Sequence, residues 1–351
     1  MIRKTILTAL AIVLALGFPA ADAEAKKKKK KNQKPQHAEN PYAEYVWPPP
    51  PDTARIQLMD ILYRRADVEA ESKLAKALTG AGPQNPYDYL RKPFGVAIDG
   101  EGRILVTDTE LQALLRFDRE GRRMDVFGTT GPTRLGIPLG VEVGPDGRIF
   151  VASSANQEVV AFDGDGKVVG VFGRGDGLTN PPAATVHPYG KSLYVADSKA
   201  HEIVVYDLAT GERSFAFGRR GEGEGEFNYP TALVFDPEGN LLVVDQLNSR
   251  VQLLSDEGEF LDTFGDLGVG FGRFVRPKDV AVTADGLIMV TDAAFSNIQI
   301  FDIDFRLLTF VGSGGHGPGQ FQIATGIAVR GPDFAVVDQL NRRVQLFRFL
   351  P

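Results

Sequence analysis

The chain has no cysteine, one tryptophan and four histidines in 351 residues. Without cysteine there are no disulfides, no thiolate metal sites, no cysteine nucleophile and no N-terminal lipidation on cysteine. The histidines, His37, His187, His201 and His316, show no HExxH or other paired spacing, so no metal site is expected. No GxSxG occurs, which removes the nucleophile elbow. Gly221–Gly225 and Gly268–Gly272 are glycine-rich. A phosphate loop, however, must open onto a helix N-terminus, and these runs lie between strand-like segments. The longest apolar run, Ile6 to Pro19, falls short of the roughly 20 residues that span a bilayer.

What is present at the N-terminus is a gradient of composition. Arg3 and Lys4 precede the apolar run, and Ala21-Asp22-Ala23 follows it. That order is the pattern of a secretory signal peptide, residues 1–23, with a mature N-terminus expected between Glu24 and Lys26. An exported protein, periplasmic or extracellular, is the expectation. Residues 24–54 are rich in Lys, Asn, Gln and Pro without apolar periodicity, the composition of a disordered tail. Seven lysines against Glu39 and Glu44 give residues 26–51 a net charge of +5, which leaves −11 on 52–351 of the overall −6. The Lys26–Lys31 run suits weak contact with anionic lipid or polysaccharide. The acidic body lacks the basic footprint that nucleic acid needs.

From residue 93 the sequence repeats. Pro93 opens "PFGVAID", Pro138 "PLGVEVG", Pro182 "PAATVH", Pro230 "PTALVFD", Pro277 "PKDVAVT", and Ala324 opens "ATGIAV". Each copy continues through an Asp/Pro/Gly turn into a second apolar run ending at Asp108, Ser153, Asp197, Asp245, Asp292 or Asp338. A third run follows six residues on. A fourth ends in Phe-Gly or Val-Gly in five copies and is missing from the sixth. Four short strands with tight turns at a period near 45 describe a blade of a β-propeller. The fold class is therefore all-β, a six-bladed β-propeller of four-stranded blades over 55–351. The sixth blade would leave an open edge, and "RIQLMDIL", 55–62, is the segment available to complete it. A helix is expected over about 67–79, with Asp67 as N-cap and Gly80 as C-terminal cap.

The copy at 217–254 carries Phe217, Gly218, Gly221, Gly223, Gly225, Phe227, Pro230, Gly239, Asp245, Asn248 and Arg250. In this arrangement the chain resembles the NHL repeat, in particular exported bacterial NHL propellers. Copies five and six also match well, and the first three are looser. The resemblance implies fold more than function, since such propellers include RNA- and protein-binding modules and a metal-dependent lyase. It also implies that the strand-end aspartates cap their own corners by accepting backbone N–H bonds, with Arg250, Asn297 and Arg343 bridging to neighbouring structure.

The positions aimed at the axis lie just after each anchor, and of these only Asp279 is acidic, beside Lys278. One carboxylate is a poor calcium cage, which wants six to eight oxygens, so no metal and no cofactor are expected. Gly95, Gly140, Ala184, Ala232 and Gly326 are expected to leave room around Lys278 and Asp279. Arg219, Arg273 and His316 in the glycine-rich loops, with Gln246 and Gln339 after corner aspartates, complete the candidate binding face. The expected function is a non-enzymatic binding or scaffolding module, monomeric, with a protein, peptide or glycan partner. The alternative is a metal-dependent hydrolase or lyase in the central channel.

Overall fold

The computed structural model describes residues 40–69 and 85–351. Within them lie six antiparallel sheets, five of four strands and one of five. Blade four shows the common plan: Pro230–Phe235 innermost, then Leu241–Asp245, Arg250–Leu254 and Phe260–Phe264 outermost. Four second strands, such as "LLVVD", are buried along their whole length and the other two in all but their first residue, because each blade is covered on both faces by its neighbours. Alternation along the strand decides which neighbour. Leu241 and Val243 enter the core shared with blade three, and Leu242 and Val244 the core shared with blade five. Six such cores occur, one at each junction between blades, and the sixth joins blade six to blade one.

The ring closes as the missing strand required. Strand β1 (Val46–Trp47) and strand β2 (Ile56–Leu62) lie outside the three strands of blade six, and β2 pairs antiparallel with Arg343–Phe349 from Ile56↔Phe349 to Leu62↔Val344. Ile56, Leu58 and Ile61 pack toward blade five, while Leu62 packs toward blade one. The register shifts between Leu58 and Asp60, and such a bulge lets one strand serve both junctions.

Three details differ from the sequence expectations. The tail was expected to be disordered through residue 54, but 40–54 are ordered. Tyr42, Tyr45 and Trp47 pack on the blade-five/six core, and Trp47 meets Phe347 edge-on at 5.6 Å. Aromatic side chains, sparse but well placed, outweigh a polar and Pro-rich background. The remainder, 24–39, lies outside the described residues. So do residues 70–79, most of the expected helix. Where 67–69 are described, Arg65–Asp67 form a single 3-10 turn, with the Asp67 carboxylate accepting from the Tyr63 and Arg64 backbone N–H. Thirdly, blade three starts one residue earlier than its "PAATVH" suggests. Ala184 pairs with Val195, as Leu233 pairs with Val243 in blade four. Pro181, not Pro182, therefore occupies the anchor position, and Ala183 rather than Ala184 stands where Gly95 stands in blade one.

Candidate functional site

The innermost strands of successive blades touch around a full circle, and hydrogen bonds stitch them together. Thr107 donates to the Leu139 carbonyl, the Gly140 N–H to Pro182, Ser198 to Pro230, Thr231 to Lys278, Thr291 to Thr325, and Thr325 to Phe94. This close approach explains the small residues after each anchor. A methyl at Gly326 would sit 2.7 Å from the Phe94 carbonyl oxygen, and one at Gly140 would sit 2.8 Å from that of Pro182. Their glycine is a demand of blade-to-blade packing, not room left for a ligand.

An axial cavity of about 260 Å³ runs inside this ring. Its wall is mostly backbone and small apolar side chains, with four charged residues: Lys278, Asp279, Glu142 and Arg330. Lys278 is at the start of its strand. Its ammonium reaches toward Gln246 Oε1 at 3.5 Å, and burial, with Arg276 nearby, lowers its pKa. No ion pair joins it to Asp279, its neighbour in sequence. Asp279 turns inward and accepts from its own N–H neighbour Val280 and from Ile327 of blade six, both at 2.9 Å. Burial pushes its carboxyl up to about 6, against the pull of those two N–H groups.

Glu142 was not among the sequence candidates. It stands four residues past Pro138 on the inner strand of blade two, which lies across a six-membered ring from blade five. Its structural equivalents are Ala97, Thr185, Val234, Ala281 and Ala328. Those of Asp279 are Gly95, Gly140, Ala183, Ala232 and Gly326. Glu142 also lines a second hollow of about 380 Å³, walled by Gly100, the Gly144–Gly147 turn, Pro188 and Arg330. It is half-buried and faces open space, and among the described residues its carboxyl has no hydrogen-bond partner. Desolvation, reinforced by the negative charge of Asp279, pushes it up to about 8. At neutral pH it is chiefly the neutral acid, facing an Asp279 that is chiefly ionised. The sequence did hold the signal: one charged residue in a column of small and apolar ones. It was missed because only the two positions after each anchor were compared.

The other sequence candidates do not converge on the cavity. Arg219 pairs with Glu226 at 2.7 Å and Arg273 with Asp266 at 3.3 Å, each within its own glycine-rich loop. His316 is exposed and touches Asn341 and Gln322. Gln246 reaches the site through Lys278; Gln339 is half-buried at its corner and does not line the cavity. Among the described residues no group of three or more His, Asp or Glu side chains comes within metal-binding range.

The corner aspartates cap their corners. Asp108 accepts from the N–H groups of Arg91, Lys92, Glu110 and Leu111, and Asp292 from those of Val275, Arg276, Ala294 and Phe295. Arg250 and Arg343 tie their own aspartates, Asp245 and Asp338, to the loop arriving from the preceding blade.

No family model matches the sequence, so the NHL resemblance rests on its motif residues. Among solved structures the fold is similar to a catalytically inactive histidine-to-alanine variant of virginiamycin B lyase from Staphylococcus aureus with quinupristin, at 14% identity and TM-score 0.56 over 75% of this chain and 84% of that one. It is also similar to a protein of unknown function from Bacteroides thetaiotaomicron, at 15% and 0.59 over 74% and 70%. Kuenenia stuttgartiensis hydrazine synthase matches at 14% and 0.53 over 74% and 96%. At such identities the likeness is one of fold.

Proposed function

We propose that this protein is an exported, non-catalytic binding propeller whose protein or peptide partner seats on one face and inserts a side chain into the axial cavity. The observation that carries the reading is the pair of acids on the channel wall, at positions that other blades fill with small or uncharged residues. Neither acid is a requirement of the blade, since the five sister blades fold without it. Size argues for a single side chain: about 260 Å³ is below the roughly 300–1,000 Å³ of pockets that take drug-sized ligands. A glycan ring would have to stay at the mouth. Export is supported by the Arg3–Ala23 pattern, and N-terminal sequencing of protein from the native cell tests it.

The competing reading, a metal-dependent hydrolase or lyase, would need ligands that the wall does not provide. The cavity lining contains no histidine and only two carboxyl side chains. The lyase neighbour, by contrast, is inactive when a histidine is replaced. A peptide library selected on the immobilised propeller, with counter-selection on an Asp279→Asn/Glu142→Gln variant, tests the binding reading. Enrichment of peptides that the variant does not retain supports it. Equal retention by both proteins removes the cavity from the binding site.

A further inference from the structure

We infer that the group this cavity takes is an alkylammonium, a lysine side chain or a free amine, held between Glu142 and Asp279 and binding with displacement of a proton to solvent. The inference rests on the binding reading above and names the chemistry of its ligand.

The argument begins with uncompensated charge. A buried carboxyl is ordinarily paired or hydrogen-bonded. Both axial acids are half-buried against the cavity; Asp279 accepts from two backbone N–H groups, and Glu142 from none among the described residues. The charged groups facing the pair are Lys278 and Arg330, at the two ends of the cavity, and neither forms an ion pair with either acid. Lys278 reaches Gln246 instead. Arg330 is exposed and leans over Gly100, where a methyl would lie 3.7 Å from its guanidinium. Water screens it there. Among the described residues the interior thus holds two acids from opposite blades and no cation in contact with either. Glu142 meets this by keeping its proton.

Geometry favours ammonium over guanidinium. The two carboxyls come from opposed strands, Asp279 at the second position after its anchor and Glu142 at the fourth. Two residues of strand offset them in depth by roughly 7 Å. An ammonium has three donors that radiate and can reach acids on different walls, whereas guanidinium is a flat fork suited to one carboxylate. Entry is by the hollow beneath Glu142, whose wall combines turn glycines with apolar side chains such as Val186, Val234 and Phe235. When R–NH3⁺ arrives, the Glu142 O–H bond breaks, the proton leaves to water, and both carboxylates face the one cation. Mass and charge balance without any further reactant.

The test follows Glu142 itself. With glutamate labelled at the side-chain carbonyl carbon, its carboxyl shift is titrated by NMR in buffer alone, in n-butylammonium, in methylguanidinium and in tetramethylammonium at matched ionic strength. Glu142→Gln assigns the resonance, and the isosteric amide keeps the fold. The expected result is a midpoint lowered by one unit or more in butylammonium, a tenfold change in proton affinity. It should move far less in methylguanidinium and not at all in tetramethylammonium, which has no N–H. Gly100→Trp, which fills the entry hollow, should abolish the shift while leaving the midpoint in buffer near its starting value. An unchanged midpoint in butylammonium, or the same shift in tetramethylammonium, overturns the inference. Selected peptides that bind without any effect of butylammonium would leave the binding reading standing and remove only this one.

Discussion

Two sets of acids stand in this molecule, one buried at the strand corners and one half-buried on the axis, and they differ most sharply at Asp245 and Glu142. Asp245 is wholly buried at its corner. Burial pushes its carboxyl up, but the Asn228 N–H, the Asn248 amide and the Arg250 guanidinium pull it back. Asp338 is held likewise by Gln322, Asn341 and Arg343. On the axis Glu142 has nothing that pulls back, and a second acid pushes in the same direction. The corner acids recur in five of six blades; the axial acids occur once each. Recurrence with full hydrogen bonding marks a group that the blade needs. Singularity without it marks a group kept at a cost to stability, which is the usual signature of a site.

The strongest way to break this comparison is to damage a corner. Asp338→Asn leaves Arg343 buried, 3% exposed on its side chain, without its anion. Removing one partner of a buried pair costs about 3–5 kcal/mol. The neighbouring loop carbonyls of His316, Gly317 and Gln320 would still bind the guanidinium, but no charge would oppose it. An unfolding free energy lower by that amount, read from the urea transition, is expected. A loss below about 1 kcal/mol would mean that the corner acids are not structural, and the contrast with the axis would fail.

Glu142→Gln works in the other direction. The carboxyl titrates near its ordinary value of 4.5 when unfolded and at about 8 when folded. The folded state therefore holds the extra proton between those values. Its contribution is at its most favourable below about pH 4.5 and is lost as pH rises to about 8. Glutamine has no proton to lose, so the variant should match wild type at pH 4 and exceed it at pH 9. With 1.36 kcal/mol per unit, and with the open space beside the carboxyl softening the penalty, the gain should be on the order of 2–4 kcal/mol. Chemical unfolding at the two pH values measures it. A variant less stable than wild type at pH 9 would show that the ionised carboxyl has a partner after all.

The two regions also differ in how far the sequence revealed them. The corners were legible because they repeat. Asp108, Asp197, Asp245, Asp292 and Asp338 end second strands at nearly the same step from each anchor, and Asx chemistry at a turn supplies the mechanism. The missing fourth strand of blade six was legible for the same reason: a repeat shows what one copy lacks. The axial pair was half legible. Asp279 stood out beside its proline, but placing Glu142 against it needs ring geometry, which sets blade two opposite blade five. A single proline-proline pair, Pro181-Pro182, shifted one blade by a residue and obscured the alignment. The order of 40–54 was hidden because three aromatic contacts, not a period, hold that segment.

Blade five offers the finest test of the rule that recurrence marks structural need, because it breaks the rule. Where blades four and six have Arg250 and Arg343, it has Asn297, whose Oδ1 is buried without a hydrogen-bond partner. The loops that these residues address share one backbone. Parallel bridges Arg220↔Phe227, Leu267↔Phe274 and Gly314↔Phe321 hold them, and a strand glutamine accepts from the last glycine of each. In blades four and six the guanidinium fills two loop carbonyls, those of Gly223 and Glu226 and those of Gly317 and Gln320. By position the same carbonyls in blade five are Gly270 and Arg273, and Gln299 reaches the second. Asn297→Arg should supply the missing donor, pair with Asp292 and remove the unsatisfied Oδ1. Charged hydrogen bonds give about 1.5–3 kcal/mol when formed, from which about 2 kcal/mol of side-chain ordering must be subtracted. The net gain should be about 1 kcal/mol, or roughly 1–2 °C in Tm for a domain of this size. A neutral or destabilised variant would show that blade five has settled into a different corner, with Asn297 fitted to it.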